Sequence, residues 1–202
     1  GKGELVPVGD NKTKEGKGKT VRPSLSWVQV LYSTRRQFTS EAYTSTYTSG
    51  EKYYIFFRGG FISNYERYWG LTKPTVENNR YAEVTYNRVY AQAKVQRNMG
   101  KKFFAGASLY FGDYSRTKFL QKDGIAATPP PGNSNSRIAA AGISFTADKR
   151  DNQFSPTKGF FADVTVMGNY NLQNKQYAYT LISTDVRKYN ETGRHIFAHQ
   201  LY

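Results

Sequence analysis

Between residues 139 and 171 apolar and polar side chains alternate one by one on either side of a short polar connector. Ala139, Ala141, Ile143, Phe145 and Ala147 fall on one face of the first arm, and Gly142, Ser144 and Thr146 on the other. In the second arm Phe160, Ala162, Val164, Val166, Gly168 and Tyr170 alternate with Phe161, Asp163, Thr165, Met167 and Asn169. A side-chain period of two predicts two β-strands, each with one apolar face. The connector, DKRDNQFSPTKG over 148–159, concentrates charge, Asn, Pro and Gly, which is turn chemistry. Half-buried strands of globular proteins usually stop after about five or six residues. These arms persist for about ten, the length that carries a tilted strand across a bilayer.

The same alternation recurs along the chain. SLSWVQVLYST predicts a strand with Val28, Val30 and Tyr32 on one face, followed by a Thr/Ser/Tyr-rich strand over 37–49. A third strand over 53–70 sets Tyr53, Ile55, Phe57, Gly59 and Phe61 against Tyr54, Phe56, Arg58, Gly60 and Asn64. Arg58 beside paired glycines suits a crowded polar interior, because glycine admits close neighbours. Tyr65, Tyr68 and Trp69 cluster at its end, as in the aromatic girdle of a membrane barrel or in the core of a soluble domain. Over 81–97 the apolar phase shifts near Asn87, from Ala82, Val84 and Tyr86 to Val89, Ala91, Ala93 and Val95, which predicts a β-bulge there. A fifth strand groups Phe103, Ala105, Ala107, Leu109 and Phe111. After the 139–171 hairpin come an eighth strand over 176–190 and a ninth from Arg194. The expected class is therefore all-β: an antiparallel meander of about nine long strands, part of a transmembrane β-barrel. Residues 1–20, rich in Gly and Lys, are expected to be a flexible turn insertion ahead of a partial barrel over 21–202. Short turns alternate with longer loops at 73–80 and 120–136, the asymmetry of an outer-membrane barrel, although the 148–159 turn is long and two of the opposite connectors are short.

Composition narrows the class without deciding it. Hydrophobic residues are 38%, aromatics 16% and mean hydropathy −0.69, with 17 Tyr, 13 Phe and 18 Gly among 202 residues. That balance fits strands with one apolar and one watery face, in a membrane barrel or in a soluble β-domain. The absence of cysteine excludes disulfides and thiolate metal sites. A formal charge of +14 suits attraction to an anionic surface such as lipopolysaccharide, but the cations are spread along the chain as solvated loops would spread them. The chain opens at Gly1 without a signal-peptide pattern and closes within a strand-like stretch, so it is expected to be a segment of a longer protein.

Sites for chemistry are sparse. His195 and His199 are four apart, but the zincin glutamate is missing and a strand would hold them about 13 Å apart. No nucleophile elbow, phosphate loop or dinucleotide fingerprint is present, and no nucleic-acid-binding module is recognised. Asp148, Arg150 and Asp151 are expected to bond to backbone and to one another within their turn. No catalytic residue, cofactor or metal is assigned.

DKRDNQFSPTKG with its following strand resembles the mid-barrel turn of BamA/TamA-type outer-membrane proteins, the bacterial surface antigen family. SLSWVQVLYSTRRQF and FISNYERYWGLT are similar to early strands of that family, so the resemblance spans about 21–202. It implies a slice of a barrel of about sixteen strands in the bacterial outer membrane. The family inserts or translocates other proteins, so the implied partners are outer-membrane lipid and lipopolysaccharide, nascent outer-membrane proteins and periplasmic domains of the same parent chain. The family's lumen loop with Arg-Gly-Phe is not in this chain. Asp148, Arg150, Asp151, Asn152, Phe154, Pro156 and Gly159 would form the structural turn. Ile55, Phe57, Phe103, Leu109, Phe111, Ile143, Phe145, Val164 and Val166 would face lipid. A passive porin or small-molecule transporter, or a soluble carbohydrate-binding β-domain, shares much of the pattern.

Overall fold

A computed structural model describes residues 22–68, 81–121, 134–173 and 177–202. The insertion expected over 1–20, Trp69, the loop at 73–80 and most of the loop at 120–136 lie outside the described residues. The rest is a nine-stranded antiparallel sheet in strict sequence order. Its strands are β1 (Leu25–Tyr32), β2 (Phe38–Tyr47), β3 (Tyr53–Tyr68), β4 (Ala82–Gly100), β5 (Phe103–Gln121), β6 (Ser136–Asp148), β7 (Gly159–Asn171), β8 (Ala178–Thr192) and β9 (His195–Leu201). A single 3-10 turn at Ser49–Glu51 is the only helical element among the described residues. β4 and β5 reach 19 residues each, far beyond the usual strand length. β1 does not pair with β9, so the sheet is open at both edges.

The pairing fixes which residues share a face. One unbroken row runs Val28, Ala42, Gly59, Ala91, Phe111, Ala139 and Tyr170 across seven strands. This outer face is apolar, and its large side chains are bare: Val28 is 75% exposed, Leu109 57% and Ile143 55%. On the opposite face Gln96, Ser108 and Ser144 are fully buried, and Glu41, Thr146 and Thr165 nearly so. A soluble sheet buries its apolar side; this one leaves its apolar side bare and buries a mixed face, on which these polar residues surround Tyr47, Tyr90, Phe104 and Met167.

The inner face is buried because the sheet curls; among the described residues no second layer lies against it. Flat strands lie about 4.8 Å apart, so β4 and β7 would be separated by roughly 14 Å. Yet Lys94 on β4 donates to both carboxylate oxygens of Asp163 on β7, at 2.8 and 3.0 Å. Small residues between them make the bend. A Cβ on Gly106 would stand 1.9 Å from the Val95 carbonyl oxygen, and one on Gly142 1.9 Å from that of Val166. Only glycine lets the backbones approach so closely at these points.

The bulge expected at Asn87 is displaced to the neighbouring strand. β4 stays in regular register with β3 through Ser63↔Asn87. The irregularity is on β5, where Thr85 pairs with Lys118 but Asn87 with Ser115. Arg116, at φ 53, takes the extra residue. The apolar shift in β4 instead marks a change in what its inner face meets. Ala82, Val84 and Tyr86 point inward at the loop end, where Tyr86 packs against Tyr114 and Tyr68 against Phe119. Two turns are also shorter than expected, with β4 and β5 joined by Lys101–Lys102 alone and β8 and β9 by Gly193–Arg194.

A candidate lipid-facing band and a polar inner face

On the outer face, two rows of aromatic side chains flank a charge-free zone. Tyr53, Phe103 and Phe160 lie where β3, β5 and β7 leave their short turns. Tyr32, Phe61, Phe111 and Tyr170 lie toward the loop end. At about 3.3 Å per residue the rows are roughly 26 Å apart along β5 and roughly 33 Å along β7. For strands tilted by about 40°, these spacings would correspond to heights of roughly 20 and 25 Å. Among the described residues, no Asp, Glu, Lys or Arg points outward between the rows.

All nine residues predicted to face lipid lie on this outer face. Phe57, Phe103, Leu109, Phe111, Ile143 and Phe145 are exposed; Ile55, Val164 and Val166 are half-buried by their neighbours. Lysines crown the turn-side row. Lys149 Nζ sits 5.6 Å from the Phe103 ring and 5.5 Å from that of Phe160, and Lys52 Nζ is 5.5 Å from Tyr53. Such placements bring a cation to the ring face at the turn end of the sheet.

The inner face is built of paired charges. Arg58 Nε donates to Glu41, which is 5% exposed on β2. Asp163 receives Lys94 from β4 and the Thr146 hydroxyl from β6, so one carboxylate ties three strands. Gln96 Nε2 donates to Ser144 Oγ at 2.9 Å, passing over Gly106. Arg88 has a different environment. Its Nη2 donates to the Tyr110 hydroxyl at 3.1 Å, and its guanidinium lies 4.3 and 5.4 Å from the rings of Tyr90 and Tyr114. Tyr110 can lie along β5 because position 112 is glycine; a Cβ there would stand 2.5 Å from the Tyr110 hydroxyl.

Within the turn motif most side chains bond to one another or to the turn's own backbone. Asp148 accepts Nε and Nη2 of Arg150, both at 2.9 Å, and Arg150 Nη1 donates to the Gln153 carbonyl at 3.0 Å. Asp151 accepts the Thr157 hydroxyl at 2.7 Å and the amides of Thr157 and Lys158. The Thr157 hydroxyl, followed by these backbone amides, holds the Asp151 carboxyl well below the usual carboxylate range. Asn152 Oδ1 caps the amides of Phe154 and Ser155, leaving the Phe154 ring exposed at the tip and Pro156 half-buried behind it. Gly159 at φ 103 closes the turn, with the Lys149 carbonyl 2.2 Å from where a Cβ would be.

One participant has no signal in the alternation. Arg22, ahead of β1, reaches across the turn end of the inner face. It donates to the Asp148 carbonyl at 2.8 Å and the Tyr47 hydroxyl at 3.2 Å, and lies over the rings of Tyr47 and Phe104. The Lys94–Asp163 tie is half-legible, since parity puts both residues on polar faces, but only the register brings β4 to β7. His195 and His199 are exposed on the outer face of β9, opposite Thr192 and Lys188.

No protein-family model, curated protein or solved structure matches the chain. The class defined by the coordinates is thus an open, curled, all-β meander with inverted polarity.

Proposed function

We propose that this sheet is a wall section of a bacterial outer-membrane β-barrel of the BamA/TamA type, serving the assembly, insertion or translocation of other proteins. The observation that carries the barrel reading is the polarity inversion: a charge-free apolar band between aromatic rows outside, tied charges inside. In water such a face has no solvent to match it, whereas hydrocarbon does. Lipid also demands that backbone polar groups be paired, and β2 to β8 are paired on both sides. The assembly role rests on the turn motif at 148–159. A passive porin shares the wall, and the side chains tied across the inner face between β4, β6 and β7 narrow the space such a pore would need.

The chain has no native cysteine, so single labels are specific. With a fluorophore on Leu109→Cys or Ile143→Cys in lipid vesicles, spin-labelled acyl chains should quench strongly and aqueous iodide weakly. A label on Gln92→Cys of the inner face should show the reverse. Equal iodide quenching at all three positions sinks the membrane reading. Proteoliposomes of the parent protein that speed the folding of a client barrel support the assembly role; ion conductance without that activity favours the porin.

A further inference from the structure

We propose that the turn-side rim of the sheet binds the phosphate headgroups of anionic phospholipids, with Lys101 and Lys102 at its centre; this rests on the membrane reading. Three observations converge there. First, the β4–β5 turn has both central residues at positive φ, 51° for Lys101 and 65° for Lys102. Two-residue hairpins of that mirror-image class favour Asn-Gly, because in the left-handed region a Cβ crowds the following carbonyl oxygen; Gly has none and Asn offsets it with local hydrogen bonds. Two adjacent lysines are a poor choice for the fold alone, and retained backbone strain points to a use for the side chains.

Second, the cations are unpaired. Lys52, Arg97, Lys101, Lys102, Lys149 and Lys188 are exposed at this end, and none meets a carboxylate within 4 Å among the described residues. Of the acids at this end, Glu51 and Asp148 are engaged by Arg22 and Arg150, while Asp151 and Glu191 sit to one side at the 148–159 hairpin, bonded to Thr157, away from the lysine turn. Third, the rim is continuous with the apolar band. Arg97 pairs with Tyr53, Lys188 with Phe160, and Lys149 covers Phe103 and Phe160, so each cation stands beside an outward ring of the turn-side row. Exposed Met99 and Phe103 flank the lysine turn and offer contact to the first acyl carbons below a headgroup.

A lysine near an anionic bilayer surface contributes about a fivefold gain in binding, screened by salt. The decisive variant is Lys101→Asn with Lys102→Gly, which supplies the residues the turn prefers while removing both charges. Partition of the full chain into vesicles of phosphatidylcholine alone is compared with vesicles containing phosphatidylglycerol. The unaltered chain should prefer the anionic vesicles, and the double variant should lose about tenfold or more of that preference. Its resistance to urea in phosphatidylcholine should hold or rise. A charge-matched loop-side pair, Arg35→Gln with Arg116→Gln, should keep the preference. Undiminished preference in the folded lysine variant overturns the proposal, as does a gain seen with lipid A vesicles and not with phosphatidylglycerol. A chain that enters neither vesicle and stays monodisperse in detergent-free buffer overturns the membrane reading itself.

Discussion

At the scale of single residues, the curvature is written in small side chains. Gly106 sits under the Gln96 amide as it crosses to Ser144, and its α-carbon faces the Val95 carbonyl at a distance no Cβ tolerates. Gly106→Ala should therefore force β4 and β5 apart and cost about 1–3 kcal/mol, the usual range for overpacking. Gly168→Ala is the contrasting substitution. Its nearest atoms are the Tyr170 ring at 3.9 Å and the Ala141 carbonyl at 4.0 Å, which is ordinary contact. Urea unfolding in detergent micelles should separate the two variants clearly. Equal losses would mean that the close approach at Gly106 is not what shapes the sheet. Sequence alone marks Gly106 only as an even-numbered small residue opposite the apolar set. Its importance depends on how near another strand comes, which alternation cannot report.

At the scale of elements, strand number, order and facing were legible because a period of two leaves little room for error once one face is apolar. The bulge was not. The switch of apolar parity at Asn87 suggested an extra residue in β4, but the same switch arises when a straight strand runs from a zone with an apolar outer face into one where inward aromatics pack together. Tyr86 and Tyr114 do so, while Arg116 of β5 absorbs the irregularity. Turn chemistry was legible at 148–159, since Asp, Asn, Pro and Gly each do there what their side chains favour. The two-residue Lys101–Lys102 turn was not, as neither residue signals such a conformation. The long turn yields a pH prediction. With its folded pKa depressed, Asp151 contributes stability above its unfolded value of about 3.9, and that contribution is lost as pH falls through the folded value. Thr157→Val removes the largest cause, so the Asp151 titration followed by NMR should move up toward the ordinary range. The turn should then loosen at higher pH than in the unaltered chain. A titration unmoved by Thr157→Val would assign the depression to the backbone amides instead.

At the scale of the whole molecule, the inner ion pairs help hold the sheet's curl. Lys94 is 9% exposed and, among the described residues, its carboxylate partner is Asp163. Asp163→Asn leaves that ammonium without a countercharge and should cost about 1–3 kcal/mol, discounted for the partly exposed acid. Lys94→Met combined with Asp163→Asn should cost less than the sum of the single changes, and a double-mutant cycle in urea measures the difference. Strict additivity would show that the pair does not hold β4 to β7. The legible part at this scale was the inverted polarity, because every strand repeats it. The ties between distant strands were not legible, since they follow from the curl and the curl from glycine contacts. Arg22 gives the arrangement a mechanical side. It precedes the first strand, yet its side chain grips Asp148 at the root of a hairpin 126 residues further along the chain. Because Arg22 also bonds Glu51 and the Tyr47 hydroxyl, one side chain ahead of β1 ties the β2–β3 turn to the root of the 148–159 hairpin, two turns far apart along the chain.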